Sequence, residues 1–200
     1  MVGRSYGNAN QVTVIGARTS LTASGCGLAQ LDNRGMGESE TNDFAAARDM
    51  YFKYDGSRFY MSRDDIEATY NAYAVPTEIE RKWLSDLTEQ KLASLRAPGN
   101  WWAVSFLISH RDPQHLRAVQ ESLPFGVLWQ RTAFVEEQLS YIEMCHQLGC
   151  SDGEASAGME QVIANAQALL GSCRSDRSKG RVNRLIAKAT RARLAIADTR

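Results

Sequence analysis

Residues 51–65, YFKYDGSRFYMSRDD, decide whether the chain folds as helices alone or as helices with a β-hairpin. The Asp-Gly pair at its centre favours a two-residue type I′ turn, and the tyrosines and phenylalanines on either side are residues that strands prefer. A turn at that pair would place Tyr51 opposite Tyr60, with two phenylalanines paired beside them. The stretch therefore predicts one N-terminal β-hairpin that packs on helices through its aromatic side chains.

Most of the chain after this stretch has the periodicity of helices. Pro76 predicts the end of one helix and the start of the next, because the residue before a proline avoids the helical region. Residues 127–148 repeat apolar side chains every seven positions, which predicts a long helix. Residues 101–109, WWAVSFLIS, are nearly all apolar and are expected to form a buried helix. The alternative is a strand at 101–109, which would make the fold α+β.

The predicted fold class is mainly α, an irregular multi-helix bundle of about six or seven helices with one N-terminal β-hairpin. Residues 1–42 contain seven of the 15 glycines and a single aromatic residue, Tyr6. Their glycine spacing matches neither of the common phosphate-binding loops. We therefore expect a glycine-rich, loosely ordered leader over 1–42, followed by a single helical domain over 43–200 that ends in a basic amphipathic helix.

The composition bounds the class of protein. Hydrophobic residues make up 44% of the chain and charged residues 23%, which is ordinary for a soluble globular protein. The 23 basic and 23 acidic residues cancel, so no global field draws the chain to nucleic acid or to a membrane. No apolar run reaches the roughly 20 residues that span a bilayer. The N-terminus lacks the apolar core of a signal peptide and the four cysteines are widely spread, which predicts a cytoplasmic protein with no transmembrane segment.

The catalytic and metal-binding motifs are weak. Cys145, His146 and Cys150 lie close together, but their spacing is not that of a recognised zinc site. Asp64 and Asp65 suit the first turn of a helix as well as they suit a catalytic pair. No serine-hydrolase elbow or HExxH sequence is present. We therefore predict no metal and no cofactor, assign no catalytic residue, and favour a non-enzymatic protein.

The clearest charge feature is the C-terminal segment. From Arg174 to Arg200 there are nine basic residues and two acidic ones. Five of the basic residues fall within about 80° on a helical wheel, beside an apolar face. This basic stripe is expected to pair with acidic residues of the chain, or to bind nucleic-acid phosphates or another partner. Its residues are Arg177, Arg181, Arg184, Lys188 and Arg191.

An aromatic patch is the second candidate binding surface. Trp101 and Trp102 are adjacent and cannot face the same way on a helix, so one of them is expected to be partly exposed. An exposed tryptophan near the hairpin tyrosines, Tyr51 and Tyr60, would form a binding hot spot. The other two tryptophans, in apolar contexts, are expected to pack in the core.

We expect a non-enzymatic interaction or adaptor protein that binds another macromolecule, a protein partner first, through a helical surface. The alternative is a nucleic-acid-associated protein that contacts phosphates through the basic C-terminal helix, and the second alternative is an enzyme with a site near the hairpin. An adaptor should expose an aromatic patch, whereas a nucleic-acid binder should carry arginines that are not tied to acids. An enzyme should bring together Tyr60, Asp64 or Asp65, and His110 or His146.

Overall fold

The computed structural model of the chain describes residues 44–198, and this part of the chain is mainly helical. Within it nine helices follow one another and no strand occurs. They are α1 (Ala45–Lys53), α2 (Arg58–Arg63), α3 (Glu67–Asn71), α4 (Thr77–Ser94), α5 (Trp101–Ser109), α6 (Leu116–Glu121), α7 (Leu128–Gln147), α8 (Asp152–Leu170) and α9 (Asp176–Ala197). The predicted leader, 1–42, lies outside the described residues.

The predicted β-hairpin is wrong. Residues 51–53 are the last turn of α1, and residues 58–60 are the first turn of α2. The Asp-Gly pair does form a tight turn between the two helices. Asp55 and Gly56 have positive φ values of 51° and 69° respectively, which glycine adopts without strain and aspartate tolerates. The turn chemistry was therefore predicted correctly, but the elements that the turn joins were not.

The aromatic side chains of this stretch explain the difference. Tyr51 is only 5% exposed, and its ring lies 6.1 Å from that of Tyr70 and 5.6 Å from that of Trp83, measured between centroids. These partners come from α3 and α4, so α1 buries Tyr51 among helices rather than across a hairpin. Tertiary burial of this kind overrides the local strand preference of tyrosine and phenylalanine.

Two further expectations are corrected by the helices themselves. Residues 101–109 form α5, so the α+β alternative does not hold for the described residues. The expected number of helices, about six or seven, is too low. Helices α2, α3 and α6 have only five or six residues each, which is too short for a periodic apolar pattern to be visible in the sequence.

Helix α7 lies at the centre of the described residues. It packs against α5, α6, α8 and α9, and it has buried side chains along almost its whole length. The side chains that it buries are Thr132, Phe134, Val135, Gln138, Leu139, Tyr141, Ile142 and Cys145. A helix covered on several sides fixes the positions of its neighbours, because each of them must bury an apolar face against it.

The last three helices form a layered unit. Helix α8 packs against both α7 and α9, and short connections join the three in sequence. Arg181 pairs with Glu136, and Lys188 pairs with Glu143, at the same separation of 45 residues. A constant separation means that α9 runs in the same direction as α7. Consequently the first turns of α7 and α9 lie at the same end of the unit.

A buried polar network sets how α6, α7 and α8 meet. The amide of Asn165 donates to the Gln138 side-chain oxygen at 2.9 Å, and the Gln138 amide donates to the Val119 carbonyl at 2.8 Å. Gln138 is fully buried, and both of its polar ends have partners. A satisfied buried network of this kind favours one arrangement of the helices over slipped alternatives.

None of the helices in residues 44–198 combines the length and the apolar character needed to cross a membrane.

Two glycines provide a matched test of the packing. A Cβ atom on the buried Gly158 of α8 would lie 2.9 Å from Cδ1 of Ile142, a side chain with no exposure. A Cβ on Gly180 of α9 would meet only the end of Arg184, at 3.7 Å. Overpacking in a core costs about 1–3 kcal/mol, whereas alanine gains about 1 kcal/mol over glycine in a helix.

We therefore expect Gly158→Ala to lower the free energy of unfolding by about 1 kcal/mol and Gly180→Ala to raise it by a similar amount. Urea denaturation followed by circular dichroism measures both variants. Equal stabilisation by the two substitutions would contradict the close packing of α8 on α7.

Candidate functional site

Three tryptophans meet at the surface. Trp101 and Trp102 open α5, and Trp129 lies in the first turn of α7. The rings of Trp101 and Trp102 stack with 4.0 Å between centroids, and Trp129 meets Trp101 edge-on at 6.3 Å. Trp102 is 57% exposed and Trp129 59%, while Trp101 is half-buried against the core. We call these three residues the tryptophan cluster.

The tryptophan cluster matches the sequence-based expectation only in part. The expectation that one of Trp101 and Trp102 is exposed is confirmed, because Trp102 is the exposed one. The expectation that Trp129 belongs to the core is wrong. A signal for its exposure was present in the sequence: residues 127–129 are three consecutive apolar residues at a helix start, and three successive side chains cannot share one face.

A groove of about 610 Å³ runs beside the tryptophan cluster, between the first turns of α7 and α9. Its apolar wall is formed by Val127, which directly precedes α7, and by Trp129 in the first turn of α7. Its basic wall belongs to α9 and includes Arg177, Arg181 and Arg184. The groove exists because α7 and α9 are parallel, so that the apolar start of one lies next to the basic start of the other.

Two cations of the basic stripe are held by acids of α7. Arg181 donates to Glu136 twice, from Nε at 2.8 Å and from Nη2 at 2.5 Å. That hydrogen-bonded pair raises the pKa of the Arg181 guanidinium above its usual value. Lys188 donates to Glu143 at 2.9 Å. These two cations therefore serve at least partly to hold α9 on α7.

The other three cations of the stripe are available. Arg177, Arg184 and Arg191 are exposed, and none of them has an ion pair or a hydrogen-bonded side-chain partner among residues 44–198. They lie seven residues apart from one another on α9. The basic stripe is thus two parallel lines of charge, one neutralised by α7 and one facing outward.

The tyrosines of the predicted aromatic patch lie elsewhere. Tyr51 is buried in the core, so its assignment as a partner-binding residue is corrected. Tyr60, on α2, is 41% exposed and packs edge-on against the more exposed ring of Phe59 at 5.5 Å. Within residues 44–198 no ring contact joins Tyr51 or Tyr60 to the tryptophan cluster. The expected single patch is therefore two separate exposed aromatic groups and a buried tyrosine.

The histidines and the aspartate proposed for an enzyme site each bind a different part of the chain and do not come together. His110 Nε2 donates to the backbone carbonyl of Asp55 at 3.0 Å, so this nitrogen carries a proton. His146 pairs with Asp152 at 3.0 Å, at the junction of α7 and α8. Asp64 is bound by the arginine that precedes it. These contacts give the enzyme alternative no support.

The thiols of Cys145 and Cys150 are in surroundings that favour the protonated form. Burial raises the pKa of the Cys145 thiol to about 11, and burial also raises the pKa of Cys150. A protonated thiol is a poor nucleophile and a poor metal ligand. Among the residues that the structure describes, no three histidine, cysteine or acidic side chains are grouped as a metal site would require.

Comparison of the chain with protein-family models, with curated proteins and with solved structures found no match. The geometry of residues 44–198 is therefore the basis on which a function is proposed.

Glu137 provides a pH-dependent test of the packing of α5 on α7. Burial raises the pKa of its carboxyl, a hydrogen bond from Ser105 opposes that rise, and Glu136 adds to it. Because the pKa in the folded state lies above that in the unfolded state, the ionised carboxylate destabilises the folded state at neutral pH. Below about pH 4 the group is protonated in both states and the penalty disappears.

We therefore expect Glu137→Gln to raise the free energy of unfolding at pH 7 and to leave it nearly unchanged at about pH 3.5. Urea titrations at the two pH values measure the difference. Glu89→Gln, on the exposed face of α4, is the control and should have little effect at either pH. A Glu137→Gln variant that is less stable than the wild type at pH 7 would show that the burial is not as described.

Proposed function

We propose that this chain is a non-enzymatic interaction protein that binds a partner protein through the tryptophan cluster and the groove beside it. The observation that carries the proposal is the exposure of Trp102 and Trp129, which are 57% and 59% exposed within one cluster. Exposed apolar patches rimmed by polar residues mark interaction sites, and tryptophan is enriched among the residues that dominate binding energy.

The arrangement of the rings also suits binding. Trp102 stacks on Trp101, which is itself packed against the core, so the exposed ring is already held in place. A side chain that is ordered before binding loses less conformational entropy when the complex forms. The neighbouring arginines of the groove supply the second residue type that is enriched in interfaces.

A cytoplasmic location is part of this proposal. Within residues 44–198, Cys145, Cys150 and Cys173 are free thiols, and Cys145 and Cys173 are buried. Free thiols are typical of proteins in a reducing compartment.

The proposal predicts the result of a peptide selection. A phage-displayed library of helical peptides, panned on the wild type, should yield sequences that bind with micromolar affinity. Those peptides should bind the Trp102→Ala/Trp129→Ala variant at least tenfold more weakly, because loss of a hot-spot residue costs about 2 kcal/mol or more. Fluorescence anisotropy with labelled peptides measures the affinities.

The matched control is Phe59→Ala/Tyr60→Ala, which removes the other exposed aromatic pair, on α2. This control should bind the selected peptides as the wild type does. Peptides that bind the tryptophan variant and the wild type equally well would refute the proposed surface.

A second function is supported by the outward line of Arg177, Arg184 and Arg191, which have no acidic partner among the described residues. In this alternative the arginines contact nucleic-acid phosphates, and the nearby Trp129 could stack on a base.

The nucleic-acid alternative has its own expected result. A fluorescent single-stranded oligonucleotide should bind much more tightly at about 50 mM salt than at about 200 mM, because phosphate contacts release counterions. An Arg177→Ala/Arg184→Ala/Arg191→Ala variant should lose that binding. Binding that is absent at the lower salt concentration would remove this alternative.

A further inference from the structure

The three arginines that face outward on α9, called here the outer line, are spaced as charged residues are on helices that pair with another helix. Arg177, Arg184 and Arg191 follow one another at intervals of seven residues on α9. At about 1.5 Å of rise per residue, neighbouring arginines lie about 10.5 Å apart along the helix axis. Charged residues at this interval on one flank of a helix are the arrangement through which packed helices choose their partners and their register.

Two ion pairs between α9 and α7 show this kind of recognition within the chain itself. On the inner line of the stripe, Arg181 and Lys188 bind Glu136 and Glu143, which are also seven residues apart on α7. The cations of α9 thus already match one helix that presents carboxylates at every seventh position. The outer line has the same seven-residue spacing and lies less than half a turn around α9 from the inner line. It can therefore bind carboxylates with that spacing on a helix that is not among the described residues.

The surface of α9 next to the outer line has small side chains, which allow a second helix to pack closely against α9. Gly180, Ala187 and Leu194 form a second line, again at intervals of seven residues, on the side of the arginines that faces away from α7. Ala187 is exposed and Leu194 is 52% exposed. Glycine and alanine present little bulk, and Leu194 presents an apolar side chain at the end of the line. A helix lying there could place an apolar seam on this line and its carboxylates on the arginines.

The carboxylates of α7 beside the stripe favour a partner helix with spaced acidic residues over a nucleic-acid strand. Glu136 and Glu143 hold Arg181 and Lys188, the inner line of cations, which lies next to the outer arginines on the α7 side of the stripe. A nucleic-acid strand lying across the whole stripe would meet Arg181 and Lys188, whose charges these two carboxylates already neutralise, so only three separated arginines remain for phosphates. A helix with acids at every seventh residue can meet the arginines and present neutral side chains between them.

We propose that the partner presents an acidic amphipathic helix, with carboxylates at every seventh residue, that lies along α9 and is bound by Arg177, Arg184 and Arg191. This inference deepens the proposed function and rests on it. A bulky apolar side chain near one end of that helix occupies the groove beside Trp129, which Arg177 and Arg184 also line. The tryptophan cluster anchors the partner, and the arginine line selects it and sets its register.

Two synthetic helical peptides of about 24 residues test the inference. Both carry an apolar seam and one terminal phenylalanine, and they have the same composition. The first carries three glutamates at intervals of seven residues beside the seam, and in the second the glutamates are distributed around the helix. We expect the wild type to bind the first peptide at least tenfold more tightly than the second, as measured by fluorescence anisotropy.

Three protein variants show which residues recognise the spacing of the glutamates in the peptide. The Arg177→Ala/Arg184→Ala/Arg191→Ala variant should lose at least tenfold in affinity for the first peptide. A matched variant, Arg81→Ala/Lys82→Ala/Arg117→Ala, removes three exposed cations from α4 and α6 and should bind as the wild type does. Arg184→Glu should bind weakly, and exchanging the central glutamate of the peptide for lysine should restore its affinity. Thermal melts establish that each variant is folded.

The outcomes separate this inference from the proposed function. Loss of peptide binding in Trp102→Ala/Trp129→Ala but not in the triple arginine variant would leave the proposed function standing and overturn the acidic helix. Equal affinity for the two peptides, or no binding of either, would also overturn it. Tighter binding of a single-stranded oligonucleotide than of the first peptide, lost in the triple arginine variant, would replace the acidic helix by nucleic acid.

Discussion

Helix α7 is packed by α5, α6, α8 and α9, and this burial fixes where the tryptophan cluster and the basic stripe can lie. Once α7 is enclosed, only its ends and one edge remain near solvent. Its first turn then exposes Trp129, and its edge places Glu136 and Glu143 against α9. The apolar side chains that enclose α7 dominate the stability of the unit, whereas the two surface ion pairs mainly set the alignment of α9.

The parallel course of α7 and α9 is what brings an aromatic surface and a basic surface together. Trp129 and Arg184 are 55 residues apart in the chain, yet they line one groove. The apolar wall offers area that water would leave on binding, and the basic wall offers charge that steers and orients a partner. Neither wall is unusual by itself. Their combination is what distinguishes this surface from an ordinary helical face.

The sequence predicts what depends on local periodicity. The apolar repeat over 127–148 corresponds to α7, and the exposure of one of two adjacent tryptophans follows from helical geometry. What it could not predict depends on distant partners. Tyr51 forms part of a helix because residues of α3 and α4 bury it, and the basic stripe divides in two because Glu136 and Glu143 lie across from it. These pairings are set by tertiary packing, which a single sequence read by pattern does not contain.

Fluorine NMR of 5-fluorotryptophan-labelled protein tests whether the tryptophan cluster, with the arginines that line the groove beside Trp129, forms the binding surface. The four tryptophans give four resonances, which single substitutions assign. We expect the resonances of Trp102 and Trp129 to shift between light and heavy water, as those of exposed rings do, and to shift again when the heptad-spaced acidic peptide is added. Trp83, which is 4% exposed, should do neither. Resonances of Trp102 and Trp129 that respond to neither change would show that these two rings do not form the binding surface.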